Sequence, residues 1–357
     1  MSKLPYQYYE VEKFGSIKEM MELAVKDAGD RVAFKFRRNG EIVDVTYRQF
    51  YADTMAIGTA LASIGCGDRH IAMIGENSYE WIAVYLSVLK SSGVYVPIDK
   101  ELPFGDIMNI VNDSDSEVVF YTKRYEDDFM ENAAKMPKVK YYIGIQREED
   151  FGNFLSFEIL KAKGRDLYED GDETYASMTS DPNALKMLVY TSGTTGMQKG
   201  VMLSEHNLVS SVYYGLQVST VYTRSLSVLP YNHTYEAVSG ILVSIHKRVT
   251  ICINENLKVV LKNLQEYKPD FIYLVPAFVE VFYKKIMANA RQTGKDKTLL
   301  KMIKVSNGLR RVGIDMRRTM FATVHKAFGG NLRTSIDGYN NVTVDFLAEH
   351  TMALLGK

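Results

Sequence analysis

The sequence predicts an α/β protein with two doubly wound, mostly parallel α/β subdomains. Short apolar runs of strand length alternate with helical patterns twice along the chain, over residues 70–121 and over residues 226–274. Such alternation is typical of parallel sheets, because the crossover between two parallel strands usually contains a helix. A glycine- and hydroxyl-rich loop also follows the apolar run 184–190, and open parallel sheets bind ligands at the carboxyl ends of their strands.

The composition is that of a globular protein without a dominant charge. Lys+Arg and Asp+Glu both number 43, so no net positive field favours the binding of nucleic acid. Nucleic acid is therefore not expected as a partner. Cys66 and Cys252 lie far apart, which favours reduced thiols and a cytoplasmic location. The amino terminus lacks the apolar core of a signal peptide, and no run reaches transmembrane length. No amphipathic basic helix is identified that would indicate membrane association.

Residues 1–180 are predicted to form the first subdomain. A capping box of Ser16 and Glu19 begins a helix, Asn39-Gly40 marks a hairpin, and a second helix covers residues 47–61. Strands are expected at 70–74, 94–97, 117–121 and 139–145, with helices at 78–91, 104–112 and 155–163.

Two features of this first subdomain are specific enough to test. Asn77 and Glu80 are expected to cap the helix at 78–91, and Trp81 is expected to pack in the core. The acidic segment 164–181 is expected to be an exposed, mobile connector without catalytic carboxylates.

Residues 181–335 are predicted to form the second subdomain, and residues 336–357 a divergent tail. After a strand at 184–190, Ser204 is expected to cap a helix that ends at residue 216. Strands at 226–229, 249–253 and 270–274 then alternate with helices at 235–245, 257–267 and 276–291. Helices at 297–307 and 315–328 and a strand at 331–335 complete this region.

The loop after residue 190, TSGTTGMQKG, is suited to binding phosphate. Gly193 and Gly196 can adopt positive φ and allow backbone N–H groups to approach an anion. Four hydroxyl groups and one mobile positive charge accompany them, from Thr191, Ser192, Thr194, Thr195 and Lys199. The loop is not a Walker A motif, since Gly200 follows the lysine where that motif has Ser or Thr. The alternative is a solvated turn between strands, which would not need so many hydroxyls.

A second candidate segment is LPYNHTYE, residues 229–236, between a predicted strand and the next helix. His233 at the mouth of that helix can line a pocket. His233 and Glu236 can equally cap and pair at the helix start, and the segment alone leaves both interpretations open.

Residues 190–200 resemble the signature loop of the adenylate-forming superfamily, which includes acyl-CoA synthetases, peptide-synthetase adenylation domains and luciferases. The family usually has proline where this chain has Gln198. Residues 229–236 resemble the second core motif of the long-chain acyl-CoA synthetase branch, and the likeness covers about residues 14–335. Of the family's adenine-backing turn only Gly338 remains, and the ribose-binding aspartate, the hinge and the C-terminal domain with its lysine are not found.

The resemblance implies a fold and a reaction. The fold is the N-terminal domain of the family, truncated before its β-barrel subdomain and C-terminal domain. The reaction joins a fatty acid or other carboxylate to ATP, giving acyl-AMP and pyrophosphate, after which the thiol of coenzyme A displaces AMP; Mg²⁺ accompanies ATP. The implied ATP contacts are Thr191, Ser192, Gly193, Thr194, Thr195, Gly196 and Lys199, with Thr191 also at the metal-bound phosphates. The implied catalytic residue is His233, which lines the acyl-carboxylate site; His233 and Glu236 are the implied substrate-binding residues.

Two hypotheses remain open at the level of sequence. The first is a truncated acyl-CoA synthetase that retains phosphate and acyl recognition but lacks full activity. The second is a non-catalytic nucleotide-binding remnant of the same family. A homodimer is compatible with either hypothesis.

Overall fold

The computed structural model describes residues 8–192, 198–337 and 340–342. Its helices are α1 Ile17–Ala28, α2 Tyr47–Ser63, α3 Tyr79–Lys90, α4 Phe104–Asp113, α5 Glu126–Asn132, α6 Phe157–Glu169, α7 Glu205–Val218, α8 Val243–His246, α9 Val260–Tyr267, α10 Pro276–Gln292, α11 Asp296–Arg311, α12 Arg317–Met320 and α13 Ala322–Ala327. A π-helix at Tyr235–Leu242 precedes α8. The strands are β1 Val32–Arg38, β2 Glu41–Thr46, β3 His70–Ile74, β4 Val94–Ile98, β5 Val118–Tyr121, β6 Tyr141–Gly144, β7 Phe154–Ser156, β8 Leu185–Ser192, β9 Gln198–Ser204, β10 Arg224–Ser227, β11 Thr250–Ile253, β12 Phe271–Leu274, β13 Thr334–Asp337 and β14 Asn340–Val342.

The chain forms two compact units whose limits differ from the expected division at residues 180 and 335. The first unit comprises Met1–Thr220 and Pro230–Ile253, and the second comprises Val221–Leu229 and Asn254–Lys357. The difference has a simple cause, because β8 adds to the first unit's sheet beside β4 and brings β9 and α7 with it.

The main sheet of the first unit confirms the α/β prediction. Its strand order is β7-β6-β5-β3-β4-β8-β9, and every neighbouring pair is parallel except β8 and β9. Val119 and Tyr121 of β5 point into the core shared with α4 and α5. Phe120, between them, contacts Phe157 of α6 with 6.3 Å between ring centroids. Helices therefore cover both faces, as a doubly wound sheet requires.

The early elements of the first unit largely follow the sequence signals. The Ser16 hydroxyl caps α1 by accepting from the Glu19 N–H at 3.1 Å. Asn39 and Gly40 both have positive φ, at 52° and 86°, which the tight turn between β1 and β2 requires. On its other side β1 pairs with β11 in parallel.

The predicted cap of α3 is wrong in its residue. Ser78, and not Asn77, is the N-cap, and its hydroxyl accepts from the Trp81 N–H at 3.1 Å. Asn77 instead accepts the Tyr231 N–H at 3.2 Å, and Glu80 pairs with Arg38. Both side chains are used in contacts distant in sequence, which a local capping pattern does not reveal.

The expected exposed connector at 164–181 is also corrected. Helix α6 continues to Glu169, and Gly164 packs so closely on α2 that an added Cβ would lie 2.0 Å from the Ala56 carbonyl oxygen. Tyr175 is buried, and its hydroxyl donates to the Ser87 carbonyl at 2.7 Å. Most acidic residues of the segment are exposed. Its acidic composition therefore does not reveal that Gly164 and Tyr175 are buried.

In the second unit the strands have the order β14-β13-β12-β10. β10, β12 and β13 are parallel, and β14 returns antiparallel to β13. Asp270 joins the segments that begin β10, β12 and β13. Its carboxylate accepts from the Thr223 and Arg224 N–H groups, and its carbonyl oxygen accepts from the Arg333 N–H at 2.8 Å. Helices α9 to α13 belong to the same unit.

A bilayer-spanning helix is absent from residues 8–192, 198–337 and 340–342, since no helix there combines the necessary length with a continuous apolar surface. Helix α11, however, carries exposed lysines at helical spacing, so the expectation that the chain has no basic amphipathic helix is wrong.

Candidate functional site

The candidate phosphate loop connects the two strands of a β-hairpin. β8 and β9 pair antiparallel, with Thr191 opposite Lys199 and Ser192 opposite Gln198. The connecting residues Gly193, Thr194, Thr195, Gly196 and Met197 lie outside the described residues, as does the side chain of Ser192. Thr191 and Lys199 are cross-strand neighbours with exposed side chains, so a hydroxyl and an ammonium lie on the same face of the hairpin at the base of the loop.

A buried lysine fixes the start of β8. Lys186 is fully buried, and its ammonium donates to the carbonyl oxygens of Ser91 and, at 3.3 Å, Gly93 at the turn between α3 and β4. Burial lowers the pKa of Lys186 to about 8, although the negative charge of Glu205 opposes the shift. The amine therefore ties the strand that leads into the loop to the turn before its parallel neighbour.

A tyrosine fixes the other end of β8. The Tyr190 hydroxyl donates to Asp113 Oδ2 at 2.6 Å, at the end of α4. Burial and then this hydrogen bond raise the pKa of the Tyr190 hydroxyl. Across the hairpin stands Gly200, where a Cβ would lie 3.3 Å from the Tyr190 ring and 2.9 Å from Leu188 Cδ1. A larger residue there would require the neighbouring side chains of β8 to shift.

Helix α7 leaves the hairpin from a well-defined cap. The Ser204 hydroxyl accepts from the Asn207 N–H at 3.2 Å, and the Asn207 side chain accepts from the Ser204 N–H at 2.9 Å, a reciprocal capping box. Glu205 is buried and accepts the Ile17 N–H at 2.8 Å, which ties the start of α7 to α1. Helix α7 also packs against the π-helix that follows the second candidate segment.

The second candidate segment is anchored by an aromatic contact. Tyr231 is buried against Trp81, with 5.2 Å between ring centroids. Trp81 is itself buried beside Tyr95, which agrees with its predicted core position. The exposed His233 follows, and its Nδ1 accepts the Tyr235 N–H at 3.2 Å. In the neutral ring the proton therefore lies on Nε2, which can donate to a ligand.

His233 and Glu236 have different environments. The His233 carbonyl accepts from the N–H groups of Glu236 and Ala237, at 3.1 and 3.0 Å, and so begins the helix. The Glu236 side chain is buried, and its carboxylate lies over Gly240, where a Cβ would be 2.6 Å from Oε1. These positions give His233 access to solvent and place Glu236 in the packing of the π-helix.

Sequence reasoning missed three residues that position this region: Lys186, Glu205 and Asp113. Lys186 had a signal, since it is the one charged residue in the apolar run 184–190. The partners of Glu205 and Asp113 lie 188 and 77 residues away, at Ile17 and Tyr190, so no local pattern identifies them. Within the described residues, no group of three or more His, Cys, Asp or Glu side chains is placed to hold a metal ion.

The sequence matches the family described as AMP-binding enzyme over residues 21–339, which include the hairpin and the segment around His233. The chain belongs to this family. Its fold is that of the N-terminal domain of adenylate-forming enzymes.

Curated relatives within the family are fatty-acid ligases. The chain is 25% identical over 292 residues to long-chain-fatty-acid–CoA ligase ACSBG1 of Rattus norvegicus, covering 78% of this chain and 40% of that protein. It is 26% identical over 340 residues to long-chain-fatty-acid–CoA ligase 5 of Rattus norvegicus, covering 88% of this chain and 49% of that protein. The chain thus spans less than half the length of both relatives.

Solved structures share the fold at low identity. The adenylation domain of a carboxylate reductase from Mycobacterium chelonae superposes with a TM-score of 0.71 at 18% identity, covering 97% of this chain and 57% of that one. A fatty acyl CoA synthetase of Mycobacterium tuberculosis superposes with a TM-score of 0.61 at 21% identity, covering 74% and 50%. These similarities concern the fold alone.

Proposed function

We propose that the chain binds ATP through the β8–β9 hairpin and takes part in activating a fatty acid or other carboxylate as its acyl-CoA thioester. The observation that carries the proposal is the strand register that places two exposed residues, Thr191 and Lys199, opposite each other at the base of the glycine-rich loop. Membership of the AMP-binding family and the fatty-acid ligases among the relatives support the same activity.

The hairpin has the chemistry to hold the β- and γ-phosphates. Within the described residues Lys199 forms no ion pair with a carboxylate, so its charge is available to a phosphate. Thr191 would place its hydroxyl at the metal-bound phosphates, where Mg²⁺ would supply further charge neutralisation. The hydroxyl and ammonium fit such a group because both are exposed on neighbouring strands.

Two polar contacts, one buried and one exposed, would keep the hairpin in position. Lys186 holds the start of β8 and the Tyr190–Asp113 hydrogen bond holds its end, so the loop begins from a fixed strand. A fixed loop would lower the entropic cost of aligning the α-phosphorus with the attacking carboxylate. Catalysis by this unit would thus consist of positioning and charge neutralisation.

His233 would contact the acyl carboxylate. Because its Nδ1 already accepts a backbone N–H, the Nε2–H of the neutral ring is the donor for a carboxylate oxygen. That oxygen attacks the α-phosphorus, the bond to the bridging oxygen of pyrophosphate breaks, and acyl-AMP forms. The thiolate of coenzyme A then attacks the acyl carbon and AMP leaves. The sequence predicts Glu236 as a substrate contact. Because its side chain is buried, Glu236 would instead support His233 by packing within the helix that begins at His233.

Cys66 and Cys252 are both buried, and neither forms a disulfide bond. Reduced cysteines support a reducing compartment, and we propose the cytoplasm. A homodimer remains a prediction.

Pyrophosphate exchange tests the proposed activity. The chain is incubated with ATP, Mg²⁺, labelled pyrophosphate and either palmitate or octanoate. We expect carboxylate-dependent exchange, and a loss of about 100-fold in Lys199→Ala, since removing a preorganised charge from phosphoryl chemistry typically costs about 10²–10³ in rate. Lys26→Ala, which removes an exposed lysine of α1, is the matched control and should retain full exchange.

The same assay distinguishes the alternative. ATP binding without exchange at either acyl chain length, and unaffected by added carboxylate, would contradict the catalytic proposal. That result would instead support a non-catalytic nucleotide-binding member of the family.

A further inference from the structure

The second unit contains a concentration of positive charge. Residues 284–333 hold thirteen lysines and arginines but only two acidic residues, Asp296 and Asp315, although the two charge types are equal in number over the whole chain. Charge of one sign segregated in this way creates a local field even when the net charge is zero.

On α11 four of these cations share one side of the helix. Lys297, Lys301, Lys304 and Arg311 are all exposed, and at 100° per residue they fall within an arc of about 80°. The buried residues of α11 include Ile303, on the opposite side. Within the described part of the chain, none of the four cations forms an ion pair with a carboxylate. We call these four residues the basic stripe.

Exposed aliphatic side chains accompany the basic stripe. Val305 and Val312 lie on the same side of α11 and are 48% and 70% exposed. Ile314 and Met316, in the turn after α11, are 48% and 42% exposed. Apolar groups clustered among cations are costly in water, and they indicate a partner that has both anionic and apolar parts.

We propose that the basic stripe and its four aliphatic neighbours bind the surface of an anionic lipid bilayer. The cations would contact the headgroup phosphates, and Val305, Val312, Ile314 and Met316 would enter the boundary between headgroups and acyl chains. Nucleic acid also binds cations, but it is a poorer match because its bases stack on aromatic rings and the exposed apolar groups here are aliphatic. The attachment is to the surface, since the described residues contain no spanning helix. None of the residues of this surface is among those proposed to bind ATP.

Vesicle co-sedimentation tests this proposal with the full chain and without nucleotide. We expect binding to phosphatidylcholine vesicles containing phosphatidylserine, and much weaker binding to vesicles of phosphatidylcholine alone. Each lysine near an anionic surface strengthens binding about fivefold, so Lys301→Gln/Lys304→Gln should weaken it about 30-fold. Lys13→Gln/Lys26→Gln removes the same charge from exposed positions of the first unit and should leave binding unchanged.

A second pair of variants separates insertion from electrostatic attraction. Val312→Ser/Ile314→Ser keeps every charge, and we expect it to weaken binding to the same vesicles by at least fivefold. Folding of each variant is checked by its urea midpoint. Equal binding to neutral and anionic vesicles, or no effect of Lys301→Gln/Lys304→Gln, would overturn the proposal. So would binding to single-stranded RNA that depends on Lys301 and Lys304 in a chain that does not bind vesicles.

Discussion

Lys90 shows at the scale of one residue how burial changes a charge. Its ammonium lies 4.0 Å from the ring centroid of Tyr51 and 5.4 Å from that of Tyr175, inside the packing around α3. Burial lowers its pKa to about 7, whereas an unfolded lysine has a pKa of about 10.4. Between these values the unfolded chain holds a proton that the folded chain has released, so stability rises as the pH increases through this window.

Replacing Lys90 with methionine should therefore stabilise the protein near neutral pH. The thioether keeps the length of the side chain and removes the buried amine, and we expect the free energy of unfolding at pH 7 to rise by about 1–2 kcal/mol. The gain should shrink as the pH approaches the unfolded pKa of about 10.4, because releasing the lysine's proton on folding then costs less and the unmodified chain becomes more stable. Urea unfolding at pH 7 and pH 9.5 measures both effects. A variant less stable at both pH values would show that the contacts with the two rings outweigh the desolvation cost.

Some residues of the candidate site belong to a local sequence motif, whereas others depend on contacts between distant positions. Gly193, Gly196, Thr191 and Lys199 could be proposed as phosphate contacts from sequence because phosphate binding uses a compact local pattern. The Tyr190–Asp113 hydrogen bond could not, since it joins positions on separate elements.

At the scale of elements, the close packing of α2 against α6 depends on one glycine. A Cβ on Gly164 of α6 would lie 2.0 Å from the Ala56 carbonyl oxygen and 2.7 Å from the Ala60 Cβ, both on α2. Backbone atoms cannot move aside without shifting a helix, so the contact leaves no room for a methyl group.

Gly164→Ala should accordingly cost about 2–4 kcal/mol of stability. Gly215→Ala is the matched control: Gly215 is an exposed residue of α7 with no atom within 4 Å of an added Cβ. There alanine's helix propensity should stabilise the protein by about 0.5–1 kcal/mol. Urea unfolding of the two variants should therefore give shifts of opposite sign, and two equal shifts would refute the close packing of α2 and α6.

The elements predicted best are those whose signals are local. The Ser16 cap, the Asn39-Gly40 turn and the apolar strand at 70–74 each depend on residues next to one another. The sequence predicts Asn77 as the cap of α3, but Ser78 takes that position. Asn77 is engaged by the Tyr231 N–H, a contact far along the chain that no local pattern shows. The π-helical hydrogen bonding around Glu236 likewise has no signal in an apolar helical period.

At the scale of the whole molecule, sequence predicted the α/β class but not the allocation of strands. The sequence predicts that β8 begins a second subdomain, yet β8 pairs with β4 and the β8–β9 hairpin belongs to the first unit. Strand pairing between distant segments is decided by tertiary packing, which periodicity does not encode. The basic stripe was missed for a related reason: equal totals of acids and bases concealed their separation along the chain.

Calorimetric titration with ATP and with AMP tests the central claim, that the β8–β9 hairpin, through Lys199, holds the phosphates beyond the α-phosphate. With Mg²⁺ present, we predict that the chain binds ATP at least tenfold more tightly than AMP. Lys199→Ala should remove most of that difference and leave the affinity for AMP unchanged, because AMP lacks the phosphates that the lysine contacts. Equal affinities for the two nucleotides in the unmodified chain, or an ATP preference that survives Lys199→Ala, would contradict the account.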